Sequence, residues 1–246
     1  MEEVGILTSG SDVIDSLLGG GFEKNIITTI YGPAGSGKTN IALLTLCTVI
    51  KNGGKALYID TEGSFSASRA QQILPNFSEF ANNVLFLRPF TFDDQKKAFV
   101  KLKQTIESSP EEYQIIIIDS IAMLYRLEVG KTLDVSFVNK ELGIQLGLLT
   151  ELTRKFNIPV LITNQVYSDF ERKDKVNMVG GDMLKYTSKC LVELKKGHHG
   201  VRVAILKKHR SIAEGSEAAF KIVQEGIEHV EVPKIADKFK NSDDLL

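Results

Sequence analysis

Eight consecutive residues, Gly32-Pro33-Ala34-Gly35-Ser36-Gly37-Lys38-Thr39, constrain this chain more than any other stretch. The spacing G-x-x-x-x-G-K-[ST] requires a strand before it and a helix after it. Glycines let the backbone curl until successive N–H groups point inward, and the positive end of the following helix adds to the attraction for phosphate oxygens. Residues 26–31 are as apolar and β-branched as that strand demands. Lys38 is then set to neutralise charge on the β- and γ-phosphates of ATP. Thr39, one residue later, can give its hydroxyl to Mg2+, whose octahedral demand suits one protein ligand with phosphates and water.

Around this motif, apolar runs alternate with amphipathic stretches, the pattern of a mostly parallel, twisted sheet flanked by helices, an α/β fold. Residues 56–59, 84–87, 115–118 and 160–163 read as further short buried strands. Val138, Leu142, Leu146, Leu149, Leu152 and Phe156 recur at steps of three and four. They mark the apolar stripe of a helix over residues 134–156, which Asn157 and Pro159 end. After about Cys190 the pattern changes. Residues 190–194, 201–206 and 219–223 read as strands joined by polar turns, one of them at residues 197–200, forming a C-terminal antiparallel extension. A length of 246 residues suits one domain, expected over residues 1–233, with a flexible, charge-mixed tail over 234–246.

Composition narrows the function. Lys and Arg total 30 against 31 Asp and Glu, so the whole molecule has no general attraction for nucleic acid, and contact with DNA must come from a local patch. No apolar run approaches the roughly 20 residues of a membrane span. The start, Met1-Glu2-Glu3-Val4, lacks a secretory pattern, so a cytoplasmic location is expected. Cys47 and Cys190 have no metal-ligand spacing and read as buried free thiols.

The second half of a nucleotide site is Ile115-Ile116-Ile117-Ile118-Asp119-Ser120, a buried strand whose carboxylate emerges at its C-terminal edge. Asp119 is expected to hold the Mg2+ or one of its waters. Hydrolysis also needs a group that deprotonates water in line with the γ-phosphate. Asp60 and Glu62 both follow the strand at residues 56–59, and Glu62 is the choice over the blander reading of an acid that starts a helix.

With these residues in hand, the chain resembles the RecA-like recombinases of archaea, and in particular short paralogues of RadA. The resemblance rests on Thr8-Ser9-Gly10-Ser11-Asp12, Leu17-Leu18-Gly19-Gly20-Gly21, the phosphate loop, Tyr58-Ile59-Asp60-Thr61-Glu62, Ile117-Ile118-Asp119-Ser120, Leu161-Ile162-Thr163-Asn164-Gln165-Val166 and Gly180-Gly181. It implies a RecA-like ATPase core in which Glu62 is the catalytic carboxylate, Gln165 senses the γ-phosphate and Arg69 lies over the adenine. An amide at a strand end can donate to phosphate on one side or cap the loop beyond it. The resemblance also places DNA-contacting loops at residues 127–136 and 167–178. Lys195, Lys196, His198, His199, Arg202, Lys207, Lys208, His209 and Arg210 form a denser basic group, which reads either as a phosphate grip or as charged strand edges.

Two departures from the full recombinase are expected to matter. The helical N-terminal domain and the Phe-x-x-Ala linker that docks neighbouring subunits have no counterpart. In place of an Asp-Ser-Pro cap over a neighbour's ATP stands Lys207-Lys208-His209-Arg210-Ser211, which resembles the Lys-x-Arg of KaiC-type ATPases. Lys208 and Arg210 are accordingly placed either on a neighbour's nucleotide, in a homo-oligomer, or on DNA. The expected role is a weak ATPase that binds DNA and assists or regulates homologous recombination and repair without exchanging strands. The partners implied by the resemblance are a RadA-type recombinase, a Holliday-junction resolvase and a polymerase subunit. A strand-exchange enzyme and a KaiC-like regulator of proteins are the alternatives.

Overall fold

The computed structural model describes residues 5–168 and 176–231, and the expected tail at 234–246 lies outside them. Two short strands, β1 (Ile6–Leu7) and β2 (Phe22–Glu23), pair antiparallel ahead of the core. Between them runs α1 (Asp12–Leu17), whose N-cap Ser11 accepts from the Val13 N–H at 3.2 Å. Then follow β3 (Ile27–Gly32), α2 (Lys38–Lys51), β4 (Lys55–Asp60), α3 (Ala67–Ile73), α4 (Phe77–Phe80), β5 (Val84–Leu87), α5 (Phe92–Ser108) and β6 (Tyr113–Asp119). The chain continues through α6 (Met123–Val129), α7 (Val135–Lys155), β7 (Val160–Ser168), β8 (Val176–Met178), α8 (Gly181–Thr187), β9 (Cys190–Lys196), β10 (Val201–Lys208), β11 (Glu217–Val223) and β12 (Gly226–His229).

Among the described residues the main sheet runs β12-β11-β10-β9-β3-β7-β6-β4-β5, with β8 paired to β7 off this path. From β9 to β5 every pairing is parallel, because helical crossovers carry the chain between neighbouring strands. From β9 to β12 every pairing is antiparallel and the connections are turns. This is the expected mostly parallel sheet with a C-terminal antiparallel extension.

The four isoleucines of β6 show how both faces are filled. Ile115 and Ile117 pack into the core beneath α2, while Ile116 and Ile118 pack with Leu142, Leu146, Leu149 and Leu152 of α7 on the other side. Each alternate residue of the strand thus serves one layer. Of the expected α7 stripe, Val138, Leu142, Leu146, Leu149 and Leu152 are buried and Phe156, at the C-cap, is partly so; truncating a fully buried member such as Leu149 to Ala costs about 2–5 kcal/mol. Asn157, at φ 51°, takes the left-handed conformation that ends the helix. By contrast, α2 is apolar nearly all round because strands lie beneath it and α3 and β12 pack against it.

Three pairs of elements differ from the sequence reading. The β1–β2 pair and the short strands β8 and β12 were not expected, being too short to display a period. The expected loop at residues 127–136 is helical at both ends, since α6 runs to Val129 and α7 starts at Val135. Of the second expected loop, residues 169–175 lie outside the described part. No helix among the described residues is long and apolar enough to cross a membrane.

Candidate nucleotide-binding site

The site forms where β3, β4, β6 and β7 end, on the carboxyl edge of the sheet. Strand register brings its residues level: Gly32 pairs with Gln165, and Asp60 with Asp119. Gly32 lies so close to β9 that a Cβ there would stand 2.4 Å from the Leu194 carbonyl oxygen, which leaves room only for glycine. Gly37 is the α2 N-cap at φ 107° and offers no side-chain cap, so the first N–H groups of the helix remain for an anion. Ser36 Oγ is buried with no hydrogen-bond partner in the loop. The Lys38 ammonium is folded over the loop, donating to the carbonyl oxygens of Gly32 at 2.8 Å and Pro33 at 3.0 Å. Burial pushes its pKa down, and Glu62 and then Asp119 oppose that shift. Thr39, beside it, is half-buried. Uncapped N–H groups, a buried cation and a free buried hydroxyl fit the phosphates of ATP, and Thr39 with Asp119 fits the oxygen chemistry of Mg2+.

Asp119 is 1% exposed and its carboxylate is held on both sides. Tyr58 Oη and Ser64 Oγ donate to Oδ2 at 2.9 and 3.0 Å, and Thr163 Oγ1 donates to Oδ1. Each donor comes from a different neighbour of β6: the β4 strand, the loop after it, and β7. Burial first, and Asp119 second, keep the Tyr58 hydroxyl protonated well beyond the usual phenol range. Asp60 is spent locally, accepting from the backbone N–H groups of Ser64 and Phe65, both at 3.1 Å. That turn separates the two acids which the sequence left side by side.

Glu62 is half-buried in the loop beyond β4, and its Oε1 accepts from Gln165 Nε2 at 3.0 Å. It does not start the next helix; Ser66 caps α3 instead, accepting from the Arg69 N–H at 3.2 Å. Gln165 therefore reaches across to β4. Arg69 ties α3 to the β11–β12 turn through the carbonyl oxygens of Val223, Gln224 and Gly226 at 2.7–3.2 Å, and Nε donates to Asn40 in α2 at 2.8 Å. All three of its guanidinium nitrogens are thus engaged by protein acceptors.

The basic group that is continuous in sequence divides in space, because β10 carries its members to opposite ends. At the hairpin, Lys196 Nζ donates to the Ala34 carbonyl at 3.2 Å and Arg202 Nε to the Gly35 carbonyl at 3.4 Å, so these two cations stand beside the phosphate loop. At the far end, Lys208 Nζ donates to the carbonyl oxygens of Lys185 and Ser188 at 2.7 and 2.8 Å. There also Arg210 forms two bonds of 2.7 Å to Glu23. Sequence reasoning did not assign Tyr58, Ser64 or Thr163 to the site, and it read Lys196 and Arg202 only as members of a basic group without placing them beside the phosphate loop; single hydroxyls and basic side chains carry no motif of their own.

The Rad51 family profile matches residues 1–230. A DNA repair and recombination protein RadB from Methanobrevibacter smithii is 42% identical over 218 residues, covering 87% of this chain and 92% of that protein. The protein of the same name from Methanosphaera stadtmanae is 42% identical over 229 residues, covering 92% and 96%. A crystal structure of the RadB recombinase superposes with a TM-score of 0.76 at 36% identity, covering 92% of this chain and all of that one.

Proposed function

Because the chain belongs to the Rad51 family, we propose that it binds Mg2+ and ATP and contacts DNA, assisting or regulating homologous recombination and DNA repair in the cytoplasm. Members of this family are ATPases; here hydrolysis is read as weak, with no strand exchange of its own. The names of the relatives favour repair over a regulator of proteins. The observation that carries the reading is the meeting of Lys38, Asp119, Glu62 and Gln165 at one edge of the sheet, with Glu62 and Gln165 in direct contact.

Residues Gly32 to Thr39 cradle the phosphates, and Lys38 leaves its carbonyl partners to take phosphate oxygens. Thr39 and Asp119 would hold the ion or one of its waters, Asp119 with a carboxylate already fixed by three hydroxyl donors. When bound, Mg2+ supplies charge neutralisation on the phosphates. Glu62 takes the proton of an attacking water, Gln165 turns towards the γ-phosphate, and Arg69 covers the adenine. Lys208 and Arg210 act on a neighbour's nucleotide or on DNA, and Lys196 with Arg202 link the loop to the exposed hairpin. A RadA-type recombinase, a Holliday-junction resolvase and a polymerase subunit are the protein partners this reading implies.

The test is a gel-shift series with single-stranded, duplex and branched DNA, with and without ATP, on the native chain and Lys38→Ala. DNA binding that falls steeply with salt and responds to ATP only in the native chain supports the reading. Absence of DNA binding at low salt would overturn it.

A further inference from the structure

A second cationic pocket lies at the opposite, amino edge of the sheet. It has a volume of about 640 Å3 and is lined by Asn25, Thr150, Arg154, Tyr186, Lys189 and Arg210. Its cations come from the end of α7, the turn between α8 and β9, and the segment after β10. Only one of them is neutralised: Arg210 is paired with Glu23, whereas the side chains of Arg154 and Lys189 make no hydrogen bond or ion pair among the described residues.

Helix ends alone do not account for these charges. Positive side chains favour helix C-termini, yet at the end of α8 Lys208 already satisfies the carbonyl oxygens of Lys185 and Ser188. Lys189 adds a second cation next to it, and its field, after burial, pushes the Lys208 ammonium down. In the last turn of α7, Lys155 is paired with Glu107 at 3.3 Å while Arg154 is left over. Unopposed like charges gathered around a cavity repel one another until an anion enters. The hydroxyls of Thr150 and Thr187 are spent on the carbonyl oxygens of Leu146 and Met183, so Asn25 is the neutral polar group at the wall with an amide to offer, and Tyr186, 77% exposed, also lines the pocket.

We infer that this pocket binds a compact oligophosphate, the triphosphate chain of a nucleotide, with Tyr186 placed to stack on the attached base. The cations surround the cavity from separate elements, whereas a site for a nucleic-acid strand lays its cations along a track. Two sources present the same chemistry, a free nucleotide and the nucleotide bound to the phosphate loop of a second copy. The inference rests on the proposed function for that second source only.

The experiment is calorimetric titration of inorganic tripolyphosphate into the full chain carrying Lys38→Ala, which removes the loop contact. One binding event should remain, and adding Arg154→Ala with Lys189→Ala should weaken it at least about tenfold, since two charge-assisted contacts are lost. Both side chains are exposed, so folding is checked by circular dichroism, and Lys51→Ala with Lys101→Ala serves as a control that should leave the event unchanged. Loss of all binding in Lys38→Ala alone, or survival of binding without Arg154 and Lys189, overturns the inference. So does displacement of tripolyphosphate by a single-stranded oligonucleotide at a lower phosphate concentration. Sedimentation with Mg2+ and ATP assigns the source. Self-association abolished by Arg154→Ala with Lys189→Ala points to the second copy, and association unchanged beside lost tripolyphosphate binding points to free nucleotide. Unchanged ATP affinity in Lys38→Ala would instead fault the phosphate-loop reading and leave the pocket titration to be read by itself.

Discussion

The side-chain amide of Gln165 donates to the Glu62 carboxylate at 3.0 Å, joining the end of β7 to the loop after β4 across 103 residues of sequence. The proposed base and the proposed phosphate sensor thus hold one another. On the proposed reading, a γ-phosphate that drew the amide away would free Glu62 for water, and nucleotide binding would be coupled to activation of the base.

Glu62→Gln should keep ATP binding and lose hydrolysis by about 10²–10⁴-fold, because an amide of the same shape cannot take the proton. Gln165→Ala, which removes the partner and leaves the base, should lower turnover less. Steady-state phosphate release beside equilibrium nucleotide binding reads both. Equal turnover of Glu62→Gln and the native chain moves the base elsewhere.

Tyr58→Phe removes one of the three hydroxyls on Asp119 with little change in shape. The ring is fully buried, and an Asp119 lone pair loses its donor, so stability should fall by about 1–3 kcal/mol. Chemical denaturation measures that loss, and Mg2+ dependence of ATP binding should shift with it. No change in either would mean that water replaces the hydroxyl without cost.

Burial raises the thiols of Cys47 and Cys190 to about 12 from 9.0. At pH 8 both stay protonated, and thiol reagents should label them only after unfolding. The folded-state pKa is the higher one, so this contribution to stability is fully present below pH 9.0 and is lost as pH climbs towards 12. Rapid labelling of the native chain at pH 8 would contradict the burial.

Arg210→Ala breaks the Glu23 pair, whose arginine is 34% exposed, so stability should fall by no more than about 1 kcal/mol and the variant reports on function. If Arg210 serves a neighbour's nucleotide, mixing Arg210→Ala with Lys38→Ala subunits should recover ATPase activity, since some interfaces join an intact loop to an intact arginine. If Arg210→Ala leaves ATPase unchanged and only weakens DNA binding with a shallower salt slope, the residue grips phosphate backbone instead.

The amino-acid sequence by itself determined the phosphate loop, the alternation of strands and helices, the α7 stripe, and the two carboxylates Asp119 and Glu62. These are local: a glycine spacing, a period of two or of 3.6, or an acid after an apolar run acts on its own segment. Tertiary structure alone decided what each group touches. Asp60 and Glu62 differ by two positions, yet one is consumed by a backbone turn and the other meets Gln165, because strand register, which no single segment encodes, sets β4 beside β6 and β7 beside β3. The same holds for the basic run. One extended strand separates Lys196 and Arg202, beside the phosphate loop, from Lys208 and Arg210, beside the second pocket, so charges that are neighbours along the chain serve opposite edges of the sheet.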